Sequence, residues 1–358
     1  MIIIIFIIVE FWDSSLKFIN LESHPYELKF KVPLQTAKGC YEYRRGAIIK
    51  LFINDMIGLG EVAPLEGFHK EELFECYYSL EAINQTLQNT TEITGEELFH
   101  IFKLHSDRAP SLLFALETAL FDILSQQSKL SLNHYLNPQS INEIHLNGLH
   151  TVHQPSDNFK VVKVKLGYNN IYDDIEKMSE ISSLYKQDVK FRIDVNEQLD
   201  LPRAIRFCKS MEQFNIEYIE QPLPKNELED LSELRMHTEI PIALDESVFD
   251  LQSVNKIIEM QAADIFVIKP MVVGGYAEIK TIINLAKEND IKCIITNMLD
   301  GAINRMACMH IASANQIIEA CGLSADNLFT SDLSYVTPEI INGLILMPKL
   351  NGLGFSND

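Results

Sequence analysis

Charged residues close several short apolar segments in the second half of the sequence, and their spacing is regular. Lys163-Val164-Lys165 comes first, and Asp194, Glu220, Asp245 and Lys269 follow at successive intervals of 31, 26, 25 and 24 residues, counted from Lys163. Each interval is about the length of one strand-helix unit. We therefore expect these side chains to lie at the ends of consecutive parallel strands.

The acids of this series are suited to binding a metal ion. A single Asp at a strand end is more often a turn or cap residue, but three acids that recur at one-unit spacing would converge and repel one another. Hard divalent cations relieve such repulsion and prefer oxygen ligands. The sequence therefore predicts that Asp194, Glu220 and Asp245 bind Mg²⁺, with Mn²⁺ as a substitute.

Lysines on opposite sides of such a metal suit the removal of a proton α to a carboxylate. The metal would stabilise the enediolate, and Lys165 would act as the base, with Lys269 across the barrel. Lys163 shares one face of its strand with Lys165, and a second ammonium group beside a lysine favours loss of its proton. These residues predict an enzyme that acts on a small-molecule carboxylate.

The elements that must position these residues are strands that alternate with helices. Beyond residue 144, short apolar runs alternate with stretches of helical periodicity, which is typical of a parallel sheet. The runs lie at residues 161–166, 191–195, 216–219, 242–244, 265–268 and 293–295. The predicted fold class is α/β, a (β/α)7β TIM-like barrel, in which the carboxyl ends of the strands meet at one mouth.

The first third of the sequence has a different pattern and predicts a capping domain. Alternating apolar residues between positions 26 and 62 indicate an antiparallel sheet, and residues 71 to 133 show the periodicity of helices packed on it. We predict an α+β capping domain over residues 1–133, a catalytic barrel over 134–328, and a C-terminal segment, 329–358, that returns to the capping domain.

The composition disfavours several classes of partner. Fifty acidic residues against thirty basic ones give a net charge of −20, which disfavours nucleic acid and anionic membranes. The six cysteines form no Cys-x-x-Cys pair, which is typical of a cytoplasmic protein without disulfides or zinc. The apolar run at residues 2–9 is too short to span a bilayer and is interpreted as a strand. The true start of the chain and assembly into a homo-oligomer are left open.

Motifs throughout the sequence resemble the enolase superfamily, muconate-lactonizing subgroup, whose members combine a base with bound magnesium. Those in the barrel region are Lys163-Val164-Lys165, Asp194-x-Asn196, Glu220-Gln221-Pro222, Asp245-Glu246-Ser247 and Ile268-Lys269-Pro270. Those in the first domain are most similar to the o-succinylbenzoate synthases: Pro33-Leu34-x-Thr36-x-x-Gly39, Arg45-Gly46, Gly58-x-Gly60-Glu61-x-Ala63-Pro64-Leu65-x-Gly67-Phe68 and Phe114-Ala115-Leu116-Glu117.

The resemblance implies a Mg²⁺-dependent dehydratase of menaquinone biosynthesis, which converts 2-succinyl-6-hydroxy-2,4-cyclohexadiene-1-carboxylate through an enediolate. Lys165 would remove the α-proton and then protonate the departing hydroxyl, Lys269 would stabilise the anion, and Lys163 would tune Lys165. The metal ligands would be Asp194, Glu220 and Asp245. The implied substrate contacts are Asn196, Thr36, Gly67, Phe68 and Asp300.

Two acids and a histidine lie at or beside the motifs implied to contact the substrate. Asp300 stands where the family has Glu, and Glu66 stands where it has Pro, so the contacts of both depart from the family pattern. His69 follows the capping-loop motif. We predict that it is a surface histidine rather than a ligand contact.

Two other functions are compatible with the same residues. An N-succinylamino acid racemase or a dipeptide epimerase would use Lys165 and Lys269 as opposed bases. Dipeptide epimerases usually carry an Asp-x-Asp pair near the end of the barrel for the substrate ammonium, whereas the predicted counterpart here, Thr330-Ser331-Asp332, has one acid. The remaining alternative is a non-catalytic binding barrel, which the charged strand ends disfavour because buried charge is costly without a partner.

Overall fold

The structure is a computed structural model that describes residues 15–16, 19–36, 39–90, 92–150, 158–324, 328–333, 335 and 337–355. The strand predicted at residues 2–9 and the side chain of Thr36 lie outside this description. Among the described residues, no helix is both long enough and apolar enough to cross a membrane.

A three-stranded antiparallel sheet forms the centre of the first part of the chain, which we call the cap. Its strands are β2 (Ile19–Thr36), β3 (Gly39–Ile53) and β4 (Met56–Val62), and β1 (Ser15–Leu16) pairs separately with β5 (Ile93–Thr94). Alternate residues of β3 from Ala47 to Ile53 are buried against helices, as the period of two requires. The helices are α1 (Leu73–Gln88), α2 (Gly95–His105), α3 (Pro110–Gln127) and α4 (Leu132–Leu136). The predicted sheet covered by helices is confirmed.

Strand β4 lies very close to α3 because two of its residues are glycines. An ideal Cβ on Gly58 would lie 1.9 Å from the carbonyl oxygen of Ala119, and one on Gly60 would lie 2.0 Å from that of Ala115. No residue with a side chain fits at either position without a shift of the helix. The Gly-x-Gly part of the capping motif is therefore a packing requirement.

Parallel strands form the second part of the chain. They are β7 (Gly148–Leu149), β8 (Val161–Lys165), β9 (Lys190–Asp194), β10 (Ile216–Glu220), β11 (Ile242–Leu244), β12 (Ile265–Ile268) and β13 (Lys292–Ile295), paired in sequence order. Parallel bridges join Leu146 to Cys321 and Thr296 to Gly322. Residues 321–322 thus take the place of an eighth strand and connect the two edges of the seven-stranded sheet. The predicted TIM-like barrel is confirmed.

Helices cover the outside of the barrel, and side chains fill its interior. The helices are α5 (Ile171–Ser183), α6 (Leu201–Met211), α7 (Leu228–Met236), α8 (Leu251–Glu259), α9 (Pro270–Val273), α10 (Tyr276–Glu288) and α11 (Ala302–Ala314). Val162 and Val164 of β8 belong to the core that the helices share. A separate inner cluster contains Tyr218, Ala243, Ile265, Val267 and Ile294. The alternation along β8 therefore turns Lys163 towards the inside.

The chain returns from the barrel to the cap. Thr330 N donates to the Lys29 carbonyl at 2.8 Å, and the Phe30 and Phe329 rings lie 5.0 Å apart. Further along, β14 (Leu344–Leu346) pairs with β6 (Glu143–His145). The exact division of domains at residues 133 and 328 stays a prediction.

Glu61 joins the cap to the barrel. Its buried carboxylate accepts hydrogen bonds from Gly301 N at 2.7 Å and Asn304 N at 3.0 Å, at the start of α11. The Tyr26 hydroxyl donates a third bond at 2.5 Å. A carboxylate at this place satisfies N–H groups that a helix start leaves without partners. Burial, reinforced by the charge of Asp300, raises the pKa of Glu61 to about 7.

Replacing Glu61 with Ala should destabilise the protein, because three buried donors lose their acceptor. We expect the free energy of unfolding, measured by urea denaturation, to fall by about 2–5 kcal/mol. Glu61→Gln keeps one acceptor oxygen and should lose less. Glu22→Ala, on the exposed side of the same sheet, should change stability by less than about 0.5 kcal/mol. If Glu61→Ala behaved like this control, the carboxylate would not hold the cap on the barrel.

Candidate active site

Consecutive strand ends place the predicted catalytic side chains at one mouth of the barrel. They are Lys163 and Lys165 on β8, Asp194 at the end of β9, Glu220 at the end of β10, Asp245 after β11 and Lys269 after β12. The strand register pairs Lys165 with Asp194, and Asp194 with Glu220. The convergence expected from the spacing is therefore present in the fold.

Two lysines hold the three carboxylates in ion pairs. Lys163 Nζ lies 2.8 Å from Asp194 Oδ2 and 2.7 Å from Glu220 Oε1. Lys269 Nζ lies 2.6 Å from Asp245 Oδ2. The acids are buried, so each would be an uncompensated charge without its lysine. Lys163 thus neutralises carboxylates, whereas the sequence predicted that it crowds the neighbouring lysine.

The second oxygens of Glu220 and Asp245, and one oxygen of the neighbouring Glu246, have no hydrogen-bond partner. Glu220 Oε2, Asp245 Oδ1 and Glu246 Oε2 are buried and accept no hydrogen bond. Buried carboxylate oxygens without donors are costly, and such oxygens are the ligands that hard divalent cations prefer. As they stand, no three acidic, His or Cys side chains of the described residues are arranged to hold a metal ion. The donor set fits a hard cation once the lysines release the carboxylates.

Crowding shifts the pKa values of these groups in opposite directions. Burial raises the pKa of Glu220 to about 8; Lys163 opposes this rise, and the charges of Asp194 and Asp245 add to it. Burial also acts to raise the pKa of Asp194, but the nearby lysines outweigh it and lower that pKa below its ordinary value. Asp194 and Glu220 therefore share the positive charge of Lys163, which acts to lower the pKa of both.

The strand ends open into a cavity of about 920 Å³ whose walls come from both the barrel and the cap. Lys165 and Lys269 both line it. Their strands, β8 and β12, are separated in the sheet by β9, β10 and β11, which carry the acids. The two lysines therefore flank the carboxylates from opposite sides.

The loop between β4 and α1 forms the cap side of the cavity. Gly67 and Phe68, which the resemblance implied as substrate contacts, both line it. Gly67 has a φ of 77°, a left-handed conformation that favours glycine. The Tyr41 hydroxyl donates to the Glu66 carbonyl at 2.9 Å, and Glu66 is exposed and does not line the cavity. The turn thus forms with Glu in place of Pro.

His69 lies in the cavity wall, so the prediction of a surface histidine is wrong. Leu65 N donates to His69 Nδ1 at 3.0 Å. Burial, with the charges of Arg44 and Lys269, lowers the pKa of His69 to about 3, so the ring is neutral. Because Nδ1 accepts, Nε2 carries the proton. Nε2 is buried without a partner and is an unused donor that the motifs gave no reason to expect.

Asn196 lies beside the carboxylates and lines the cavity, at the place the resemblance implied. Its amide group donates to Glu246 Oε1 at 3.2 Å and accepts from the Tyr168 hydroxyl at 2.8 Å. Its backbone N donates to Asp194 Oδ1 at 3.1 Å, and its φ is 47°. Strained backbone of this kind is concentrated at functional sites. The structure shows Asn196 supporting the acids, and its contact with substrate stays a prediction.

Two acids considered from sequence lie away from the cavity. Asp300 is 1% exposed, with Oδ1 at 3.1 Å from Arg44 Nη2 and Oδ2 accepting from Met298 N. Asp332 Oδ2 lies 2.6 Å from Arg305 Nη1. Neither acid is part of the cavity wall. The structure therefore does not bring Asp300 to the substrate site, because an arginine of the cap holds it.

Part of the cavity wall is formed by residues that no motif indicated. They come from the start of α1, the end of α2 with the turn that follows, and the start of α10: Glu71, Lys103, Ser106, Asp107, Arg108 and Glu278. These residues have no common spacing in the sequence. Only the packing of the cap on the barrel brings them into one wall.

Known proteins with similar sequences include epimerases and racemases. The hydrophobic dipeptide epimerase of Enterococcus faecalis is 25% identical over 344 residues, which cover 92% of this chain and 97% of that protein. The N-succinyl-L-Arg/Lys racemase of Bacillus cereus is 22% identical over 337 residues, which cover 89% of this chain and 90% of that protein. The crystal structure of the dipeptide epimerase from Enterococcus faecalis V583, complexed with Mg and the dipeptide L-Leu-L-Tyr, has a TM-score of 0.83 at 23% identity over 96% of this chain and 100% of that one. This structural likeness shows a shared fold.

These relatives correct the predicted function. Relatives that match over most of their length are named as epimerases or racemases, which contradicts the expectation of an o-succinylbenzoate synthase, a lyase of menaquinone biosynthesis. The first-domain motifs that suggested it serve packing in the structure. Gly58 and Gly60 admit α3, Glu61 binds the start of α11, and Glu117 accepts from Tyr276 N at 2.6 Å. Such contacts fix the cap on the barrel.

The second part of the chain, which contains the barrel strands, identifies the family. Residues 150–358 match the model of the enolase C-terminal domain-like family. The match contains every strand end described above and covers more than half of the chain. The chain therefore belongs to the enolase superfamily and is one of its enzymes.

Proposed function

We propose that this enzyme interconverts the two configurations at the α-carbon of an N-acylated amino acid, as a dipeptide epimerase or an N-succinylamino acid racemase. The observation that carries the proposal is the placement of Lys165 and Lys269 on opposite sides of the carboxylates in one cavity. Inversion at carbon needs a base on one face and an acid on the other. Two lysines that flank one site meet this need.

The two lysines exchange roles with the configuration of the substrate. One accepts the α-proton of the first isomer, and the other donates a proton to the opposite face. The reverse reaction uses each lysine in the other role. Lys269 must leave Asp245 to act as a base, because Asp245, against the effect of burial, raises the pKa of Lys269 above its ordinary value.

Asp194, Glu220 and Asp245 would hold a divalent ion, Mg²⁺ by preference with Mn²⁺ as a substitute. A bound ion supplies positive charge that stabilises the substrate carboxylate as the α-carbon loses its proton. The partnerless oxygens of Glu220 and Asp245 support this assignment. Lys163, in contact with Asp194 and Glu220, would limit the negative charge of the cluster.

Dipeptides and N-succinylamino acids share an acylated nitrogen and a free carboxylate on the carbon that reacts. The lysines and acids at the strand ends act only on this shared part of either substrate. Asp332, the counterpart that the sequence predicted for the acid pair of dipeptide epimerases, forms an ion pair with Arg305 and does not line the cavity. Selection between the two classes must therefore come from other residues of the cavity wall.

Hydrogen exchange in deuterated water tests the proposal. The purified protein with Mg²⁺ is incubated with L,L-dipeptides and N-succinyl-L-amino acids, while proton NMR follows the α-proton and chiral chromatography follows the second isomer. For dipeptides, N-succinylamino acids or both, we expect the α-proton signal to disappear as the second isomer forms. Exchange without any second isomer, or no exchange for any member of either class, would refute the proposal.

His69 should contribute to substrate binding through its Nε2–H group. Replacing His69 with Ala removes a donor for a substrate oxygen, so kcat/KM should fall by about tenfold, mainly through KM. The matched control is His150→Ala, because His150 also lines the cavity but its Nδ1 lies 3.0 Å from the Tyr185 hydroxyl. An equal loss in both variants would indicate an effect of cavity size instead of a lost donor.

A further inference from the structure

We infer that the cavity wall where the cap meets the barrel contains a binding site for an organic cation, namely an ammonium or guanidinium group of the substrate. The inference rests on the proposed function and names the substrate class: an N-acylated amino acid or dipeptide with a basic group away from the reacting carbon. Glu71, Ser106 and Glu278 form this site in the cavity wall, with Glu117 next to it. We call it the cation subsite.

Each of these three residues, and Glu117 beside them, has a buried oxygen atom without a hydrogen-bond partner. The atoms are Glu71 Oε2, Ser106 Oγ, Glu117 Oε1 and Glu278 Oε2. Glu71 is 2% exposed and Glu117 is fully buried, so bulk water does not supply the missing donors. Native proteins leave few buried polar atoms unpaired, and unpaired carboxylate oxygens are among the most costly. Three carboxylate oxygens and one hydroxyl without partners, in and beside one wall, favour a ligand that carries several donors.

Contacts with the start of α3 and with Gly275 position three of these carboxylates. Glu71 Oε1 accepts from Ser111 N at 2.8 Å, which fixes the carboxylate at the start of the helix and leaves Oε2 unused. An ideal Cβ on Gly275 would lie 2.4 Å from Glu278 Oε2 and 3.0 Å from Glu117 Oε1. The two oxygens therefore face one glycine, whose missing side chain leaves room between them.

The charges of this wall favour a cation over an anion. Lys103 Nζ lies 3.2 Å from Glu278 Oε1 and so offsets one of the carboxylates. Burial raises the pKa of Glu117 to about 7, the charge of Glu278 adds to the rise, and Lys103 opposes it. Arg108 lines the same wall but is exposed, and no contact between its guanidinium and these oxygens occurs in the described structure. An ammonium or guanidinium group would supply both the charge and the N–H donors that are missing.

Two matched pairs of substrates test the cation subsite and distinguish the source of the cation. N-acetylated Ala-Lys against N-acetylated Ala-norleucine varies only a basic side chain, and Ala-Ala against its N-acetylated form varies only the terminal ammonium. We expect the cationic member of one pair to have the higher kcat/KM for α-proton exchange, by about tenfold or more. Glu71→Gln and Glu278→Gln should each reduce that preference, taken as the ratio of kcat/KM for the cationic member to kcat/KM for the neutral member, towards one. Asp107→Asn, an exposed acid in the same wall, should retain the preference.

Failure of the cation subsite differs from failure of the proposed function. If exchange occurs without preference in either pair, or if the preference survives both Gln variants, or if Asp107→Asn removes it equally, the subsite is refuted and the proposed function stands. If no substrate exchanges its α-proton, the proposed function fails. The subsite is then tested by calorimetry, which measures binding of 1,5-diaminopentane, a diamine without a carboxylate. Weaker binding of this probe to both Gln variants, with unchanged binding to Asp107→Asn, would support the subsite, and equal binding to all four proteins would overturn it.

Discussion

Replacing Lys165 or Lys269 with Ala should abolish epimerisation while sparing hydrogen exchange of one configurational isomer. Each lysine serves one face of the α-carbon. When one is removed, the other still takes the proton of the isomer it faces and returns deuterium from solvent to the same face. The opposite isomer loses its base, at a cost of about 10²–10⁴-fold or more in rate. The two variants should therefore show complementary exchange when pure isomers are followed by NMR in deuterated water.

Lys269→Arg separates proton transfer from a purely electrostatic role. Arginine keeps the positive charge beside Asp245 but does not release its proton near neutral pH, so we expect this variant to lose epimerisation as the Ala variant does. The control is Lys225→Ala, because Lys225 lines the cavity with its Nζ 5.7 Å from the centre of the Phe249 ring. The Lys225→Ala variant should exchange the α-proton of both isomers. Epimerisation by Lys269→Arg would show that a single lysine handles both faces.

The barrel mouth could be predicted from sequence because each of its residues depends on a local pattern. A charged residue at the end of an apolar run marks a strand end, and one strand-helix unit moves the chain to the next strand. Asp194, Glu220 and Asp245 needed no knowledge of distant contacts to be placed side by side. The carboxyl ends of parallel barrel strands share one mouth in this fold, so spacing alone brought them together.

Residues whose position depends on cap–barrel contacts could not be placed in this way. Asp300 follows Leu299, whose φ of 58° turns the chain after β13, and it then meets Arg44 of the distant strand β3. His69 was predicted at the surface because its partners, Leu65 N and the cavity, are set by a loop conformation. Neither contact has a sequence period, so only the folded chain shows where these side chains lie.

The predicted activity failed for a related physical reason. The motifs of the first domain report on how tightly β4, α3 and α11 pack, and enzymes with different reactions on one fold share that packing. We propose that substrate choice depends on side chains of the cavity wall, such as Glu71 and Glu278, which no motif includes. The sequence therefore predicts the chemistry of the strand ends better than the identity of the substrate.

Removing divalent cations should abolish α-proton exchange, and Mg²⁺ or Mn²⁺ should restore it. The expected ligands are Asp194, Glu220 and Asp245, whose partnerless oxygens favour a hard cation. Binding to the folded state alone would also stabilise the protein, by about 2.7 kcal/mol at a hundredfold excess over Kd. The melting temperature should therefore rise with Mg²⁺ even in the absence of substrate. Full exchange in excess chelator would exclude a role for the metal.

Glu220→Gln tests whether the metal binds where the lysine now holds the acids. The variant removes one ligand charge, so the Mg²⁺ concentration that gives half of the rise in melting temperature should increase by at least about tenfold. Glu217→Gln is the matched control on β10, because Glu217 Oε2 is 2.6 Å from Arg192 Nε and outside the active-site cavity. It should lower stability equally with and without Mg²⁺ and retain the full rise. An unchanged Mg²⁺ response in Glu220→Gln would mean that Glu220 serves only as the partner of Lys163.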